Sequence, residues 1–154
     1  MDCVLQTTVF GSQLNQQMTL KQAIELLQAE NLINMGELAE RAISKQSGVD
    51  LCTPMTPNID TVTGKQIKYA TVKKGAKSRY YKAYITRNTT APILCVITNP
   101  IKQEQYFLHI PYSAHKHHSG SCLAISFGTD GTPSRSWLWE HEVDSFDELC
   151  ELAK

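Results

Sequence analysis

Between Asp60 and Glu104 the chain carries Lys65, Lys68, Lys73, Lys74, Lys77, Arg79, Lys82, Arg87 and Lys102, and no acid. Seven of the 15 acids lie at or before Asp60 and the other eight at or after Glu104, so a net charge of zero conceals a middle third of one sign. Positive charge gathered this way attracts a polyanion whatever the isoelectric point. Tyr69, Tyr80, Tyr81 and Tyr84 interleave with the cations; two or three belong in a core, and the rest offer rings for stacking on sugars or bases. Lys65, Lys73, Lys74, Lys77, Arg79, Lys82 and Arg87 are therefore the candidate nucleic-acid contacts. They are directed at phosphates and should be strongly weakened by salt. A second group, His115, His117 and His118 with His109 before and Cys122 after, invites a zinc reading. The spacing is wrong for a structural site and no second Cys/His pair exists. These read as surface histidines of a loop, able to meet phosphate when protonated.

The elements that must position these residues follow from periodicity. Thr19 with Gln22 makes a capping box for a helix from Leu20 to about Ala29, with Leu20, Ile24 and Leu27 on one face. Asn34 starts a second helix from Met35 to about Gln46, stopped by Gly48. Pro54 and Pro57 then forbid helix and lead the chain extended into Asp60. After Gly64 the period becomes two: residues 66–73, 79–86, 104–110 and 122–128 read as strands, and 92–98 is an apolar run suited to a strand buried on both faces. Ser145 with Glu148 opens a short C-terminal helix. Trp137 and Trp139 suggest one buried and one exposed ring. The class is α/β or α+β: N-terminal helices on a mixed, mostly antiparallel five-stranded sheet, with a short closing helix.

At 154 residues one domain is expected, with 1–18 as an arm or short strand, 19–128 as the core and 129–154 as an extension. No run of about 18 apolar residues exists to cross a membrane. The first residues lack a basic stretch and do not read as a signal peptide. Five scattered cysteines, never in a CxxC pair, read as reduced thiols of a cytoplasmic protein.

Several stretches resemble the PD-(D/E)xK restriction-endonuclease-like superfamily over residues 34–128. Gly36-Glu37-Leu38-Ala39-Glu40-Arg41-Ala42 with Gly48 resembles its first helix, as in Holliday-junction resolvases and intron-encoded homing endonucleases. Pro57-Asn58-Ile59-Asp60 resembles the loop and first acid. Gly64-Lys65-Gln66-Ile67-Lys68 resembles the hairpin bearing the (D/E)xK triplet, with Gln in place of the acid. Residues 106–114, YFLHIPYSA, resemble the strand and turn that follow.

The resemblance implies a Mg²⁺-dependent DNA endonuclease, with Mn²⁺ as a substitute, acting as a homodimer or homotetramer. Asp60 and Glu40 would be the metal-binding carboxylates, Gln66 a neutral amide ligand, and Lys68 the contact to water or phosphate. The strand after Asp60 lacks the usual acid, and hairpin register decides which residues share its face. A three-residue loop sets Asp60 opposite Lys68, a two-residue turn sets it opposite Tyr69, and a third alignment puts Lys68 and Ala70 at the acid and lysine positions. Two alternatives stand beside the nuclease: a DNA-binding or regulatory protein that kept the fold without the chemistry, and an inhibitor-type protein-interaction domain.

Overall fold

The computed structural model describes residues 19–30, 32–53, 56, 59–87, 90–118 and 120–154. The expected N-terminal arm lies outside these residues, as do Pro54, Pro57 and Asn58. The chain divides into two compact units, residues 1–35 and 36–154.

In the first unit, α1 spans Leu20–Ala29 and begins as its sequence predicts. The Thr19 hydroxyl accepts from the Gln22 N–H, and the Gln22 side chain accepts from the Thr19 N–H. Leu26 and Leu27 on this helix, and Leu32 beyond it, are exposed.

The second unit is built around the run ILCVITN, which forms strand β4, Ile93–Asn99. Of its seven residues, all but Thr98 are buried. Ile93, Cys95 and Ile97 face one way, Leu94 and Val96 the other, so both sides need a covering layer. β4 is central to a four-stranded sheet in the order β1 (Gln66–Thr71), β4, β5 (Glu104–Ile110), β7 (Glu142–Val143). β1 runs parallel to β4, and the other two pairings are antiparallel.

On one side lie α2 (Met35–Ser47) and α4 (Phe146–Glu151). Ala39, Ile43, Leu149 and Cys150 meet Ile67, Leu94 and Val96 there. Gly48, at φ +75°, ends α2, and its N–H closes onto the Ser44 carbonyl at 2.9 Å. The Ser145 hydroxyl caps α4 by accepting from the Glu148 N–H, while the Glu148 carboxylate reaches back to the Asp144 N–H.

On the other side lies a three-stranded sheet in the order β2 (Lys73–Lys74), β3 (Tyr81–Thr86), β6 (Cys122–Phe127). Its Ala83, Ile85, Leu123, Ile125 and Phe127 pack on Ile93, Cys95, Ile97, Leu108 and Ile110. A 3₁₀ turn, Trp137–His141, closes this core with buried Leu138 and Trp139, the latter edge-on to Tyr106 at 5.2 Å; Trp137 stays exposed. The result is a mixed α+β arrangement of helices, sheet and sheet.

The expected strands are all present, but they do not form one five-stranded sheet. Residues 66–74 are divided between two. Val72, 1% exposed, still donates its N–H to the Thr98 carbonyl beside β4. The next two residues turn to β3, with Lys73 opposite Lys82 and Lys74 opposite Tyr81. Among the described residues no helix is long and apolar enough to cross a membrane.

Candidate active site and nucleic-acid interface

The turn that precedes β1 fixes Asp60. Gly64, at φ +86°, lets the chain reverse, and the Asp60 and Thr61 N–H groups both donate to the Lys65 carbonyl, at 2.7 and 3.1 Å. Thr61 is fully buried, and its hydroxyl accepts from the Lys65 N–H at 3.0 Å. Behind the turn, Leu51 bridges Thr61, and the Cys52 N–H donates to the Asp60 carbonyl at 2.8 Å.

In β1 the Gln66 N–H donates to the Pro92 carbonyl on the β4 side, so the Ile67 N–H points to the free edge. The Asp60 carboxylate satisfies it: Oδ2 accepts that N–H at 2.6 Å. Neither hairpin register drawn from the sequence, Asp60 opposite Lys68 or opposite Tyr69, occurs. Asp60 belongs to no strand, and β1 takes a parallel partner 27 residues further along, Gln66 beside Ile93.

Glu40 projects from α2, half-buried, beside buried Ala39. Its carboxyl is held above the usual range, first by burial and then by the negative charges of Asp60 and Glu37; Lys68 and Arg41 pull it back. Glu40 and Asp60 line one cleft of about 400 Å³ with Glu37, Arg41, Cys52 and Thr56. Sequence reasoning left Cys52 and Thr56 out of the site; their only signal was proximity to the Pro-rich loop.

The other two expected site residues stand differently. Gln66 and Lys68 share the β1 face that also carries Ala70, in register with Ile93, Cys95 and Ile97. Gln66 is 1% exposed, and its Nε2 donates to the Ala91 carbonyl at 3.3 Å. Lys68 is half-buried and close enough for its charge to act on both Glu40 and Cys95.

Among the described residues no three His, Cys, Asp or Glu side chains stand together as metal ligands. In the cleft the carboxylates of Asp60 and Glu40 stand with that of Glu37. That donor set suits a hard cation such as Mg²⁺, which takes one or two carboxylates and completes its shell with water and phosphate oxygens.

At the other end of β1 lies a groove of about 280 Å³ lined by Thr71, Lys73, Lys74, Tyr80, Lys82 and Tyr84. Tyr80 and Tyr84 are 52% and 58% exposed. Lys73 and Lys82 face each other directly across the β2–β3 ladder. Like charges so placed repel. Among the described residues, ion pairs in this unit join Lys102 to Asp130, Arg135 to Glu142 and Lys154 to Glu151, and none reaches the lysines of the groove. Lys77 and Arg79 are exposed in the turn between β2 and β3, and Lys65 is half-buried in the turn before β1.

Arg87 is engaged within the protein. Its Nε donates to the Gly120 carbonyl at 2.8 Å, its Nη2 to the His118 carbonyl, and its Nη1 lies 3.5 Å from His115 Nδ1. His115 is not a surface histidine: it closes the single-turn helix α3, Tyr112–His115, is fully buried, and places Nε2 2.9 Å from the Ala91 carbonyl. Burial, with the Arg87 charge, holds its pKa below the usual value despite the Ala91 hydrogen bond. His117 and His118 are exposed, as expected.

No family model matches this chain, and no curated protein matches it.

Proposed function

We propose that this protein is a Mg²⁺-dependent DNA endonuclease with a degenerate restriction-endonuclease-like core. One observation carries the reading: Glu40 and Asp60 line a single cleft at the free edge of β1, with Lys68 in electrostatic range. The lysine groove, free of acids, lies at the far end of the same strand.

Asp60 and Glu40 would hold Mg²⁺, which would supply Lewis-acid polarisation of the scissile phosphate and a more acidic attacking water. Asp60 is immobilised by the Ile67 N–H on one oxygen, which keeps the other directed without a side-chain entropy cost at binding. Glu40, whose carboxyl is held above the usual range by burial and by the Asp60 charge, is placed to accept a proton. Lys68 offsets the charge that builds on the phosphate. Gln66 acts as a positioning residue that ties β1 to Ala91. One chain offers one such cleft, so cutting both strands of a duplex calls for a dimer or tetramer.

The test is cleavage of supercoiled and branched DNA with Mg²⁺ or Mn²⁺. Wild type should nick, and Asp60→Asn should slow nicking by about a thousandfold. If wild type leaves every DNA form intact with either metal, the enzyme reading is wrong. The inward-turned Gln66, in the position where the superfamily has an acid, favours a second reading: binding to DNA without cutting it. Salt-dependent retention of uncut DNA is its signature.

A further inference from the structure

Resting on the nucleic-acid reading above, we infer that the β2–β3 groove takes an unpaired DNA strand, with Tyr80 and Tyr84 stacking on its bases and Lys73, Lys74 and Lys82 holding its phosphates.

The argument starts from the rings. A tyrosine more than half exposed gains little from the protein's own core, and here two of them line one groove. Neither ring packs on another aromatic side chain among the described residues. In a duplex the base faces are covered by neighbouring base pairs, so a protein ring reaches a π-face only where a strand is unpaired.

The spacing along β3 agrees. Lys82 and Tyr84 are two residues apart and therefore on one face, about 7 Å from each other along the strand. Cation and ring thus alternate at a step longer than the ~3.4 Å rise of a stacked duplex strand, as an extended, unstacked strand requires. Across the ladder, Lys73 stands opposite Lys82, and this repulsion is relieved when a phosphate lies between them. Outward-facing Ser126 and Ala124, beside Lys82 and Tyr84 on β6, are small and uncharged, so nothing bulky obstructs a strand crossing the sheet.

The groove and the cleft are joined by one strand. Thr71 lines the groove, and Ile67 holds Asp60, about 13 Å apart along β1 at the usual strand rise. Because the rings need uncovered base faces, the favoured ligands are flaps, forks and bubbles.

The experiment measures binding in EDTA, where cleavage cannot contribute. Probes are a short fluorescent oligo(dT) and a blunt duplex of equal length. Oligo(dT) should bind about tenfold tighter, and Tyr84→Ala or Tyr80→Ala should each weaken it about tenfold while sparing duplex affinity. Tyr84→Phe should bind as wild type does, and circular dichroism should be unchanged in all three variants. Equal affinity for strand and duplex would overturn the inference, as would alanine variants that bind oligo(dT) normally. Displacement of oligo(dT) by polyglutamate at equal charge concentration would also overturn it, pointing instead to an acidic protein. Tyrosine-dependent binding without nicking would sink only the nuclease; nicking with no preference for unpaired strands would sink only this proposal.

Discussion

The two ends of β1 are finished in opposite ways. At its start, the polar groups are tied down: Asp60 to the Ile67 N–H, Thr61 to the Lys65 N–H, Gln66 to the Ala91 carbonyl. Past its end, Lys73, Lys74 and Lys82 have no ion-pair partner among the described residues and stand exposed around a groove. The first arrangement suits chemistry, which needs groups held in place before the substrate arrives. The second suits attraction, which needs charge but tolerates looseness. A mutation at the first end should therefore register in rate or stability, and one at the second in affinity.

The contrast is broken most directly at Asp60. Asp60→Asn should lower nicking by about a thousandfold yet change DNA affinity less than about twofold, read by plasmid cleavage and by gel shift. Loss of both together would mean that the two ends are one binding surface. Thr61→Ala tests whether the tied end is structural: it strips an acceptor from the Lys65 N–H in a fully buried place. Urea unfolding should show a loss of about 1–3 kcal/mol.

Lys73→Glu sharpens the other side. It turns a repelling cross-strand pair with Lys82 into an attracting one, so stability should rise by about 0.5 kcal/mol while DNA affinity falls about tenfold at low salt. A variant that loses both would show that the lysines serve the fold.

Smallest is Glu40→Gln. The folded protein holds the Glu40 carboxyl above its unfolded range, so it binds protons more tightly when folded and is destabilising once ionised. The stability contribution present at acid pH is lost as pH rises through the raised value. Glutamine removes that loss, giving a gain of about 0.5 kcal/mol at neutral pH, or roughly 1–2 °C in Tm, which fades as pH falls through the carboxylate range. A thermal-shift series across pH reads it.

Much of this fold was legible in the chain. The run over residues 92–98 declared itself a strand buried on both faces, within one residue of the observed Ile93–Asn99, and the capping residues at Thr19 and Ser145 and the stop at Gly48 sit where they were expected. The partner of β1 was not legible. Alternation in residues 66–74 tells which side chains share a face, but parallel pairing with a strand 27 residues away leaves no local signature. The crossing at Val72 is hidden for the same reason, since a valine there fits either sheet. His115 misled because its neighbours His117 and His118 are polar and exposed, while its own burial depends on Ala91 and Arg87, distant in sequence. Asp60 and Glu40, singled out from their setting in the chain, line one cleft. That Gln66 turns inward follows only from which face of β1 meets the second sheet.

The hydrogen bond from Ile67 to Asp60 reaches beyond chemistry. β1 is the last strand of its sheet, and an unoccupied strand edge invites another molecule's strand to add on. Asp60 fills the opening with a charged side chain, which guards against self-association. Asp60→Ala would both uncover the N–H and remove the charge, so concentrated solutions of that variant should turn cloudy. Asp60→Asn keeps an acceptor in place and should stay clear.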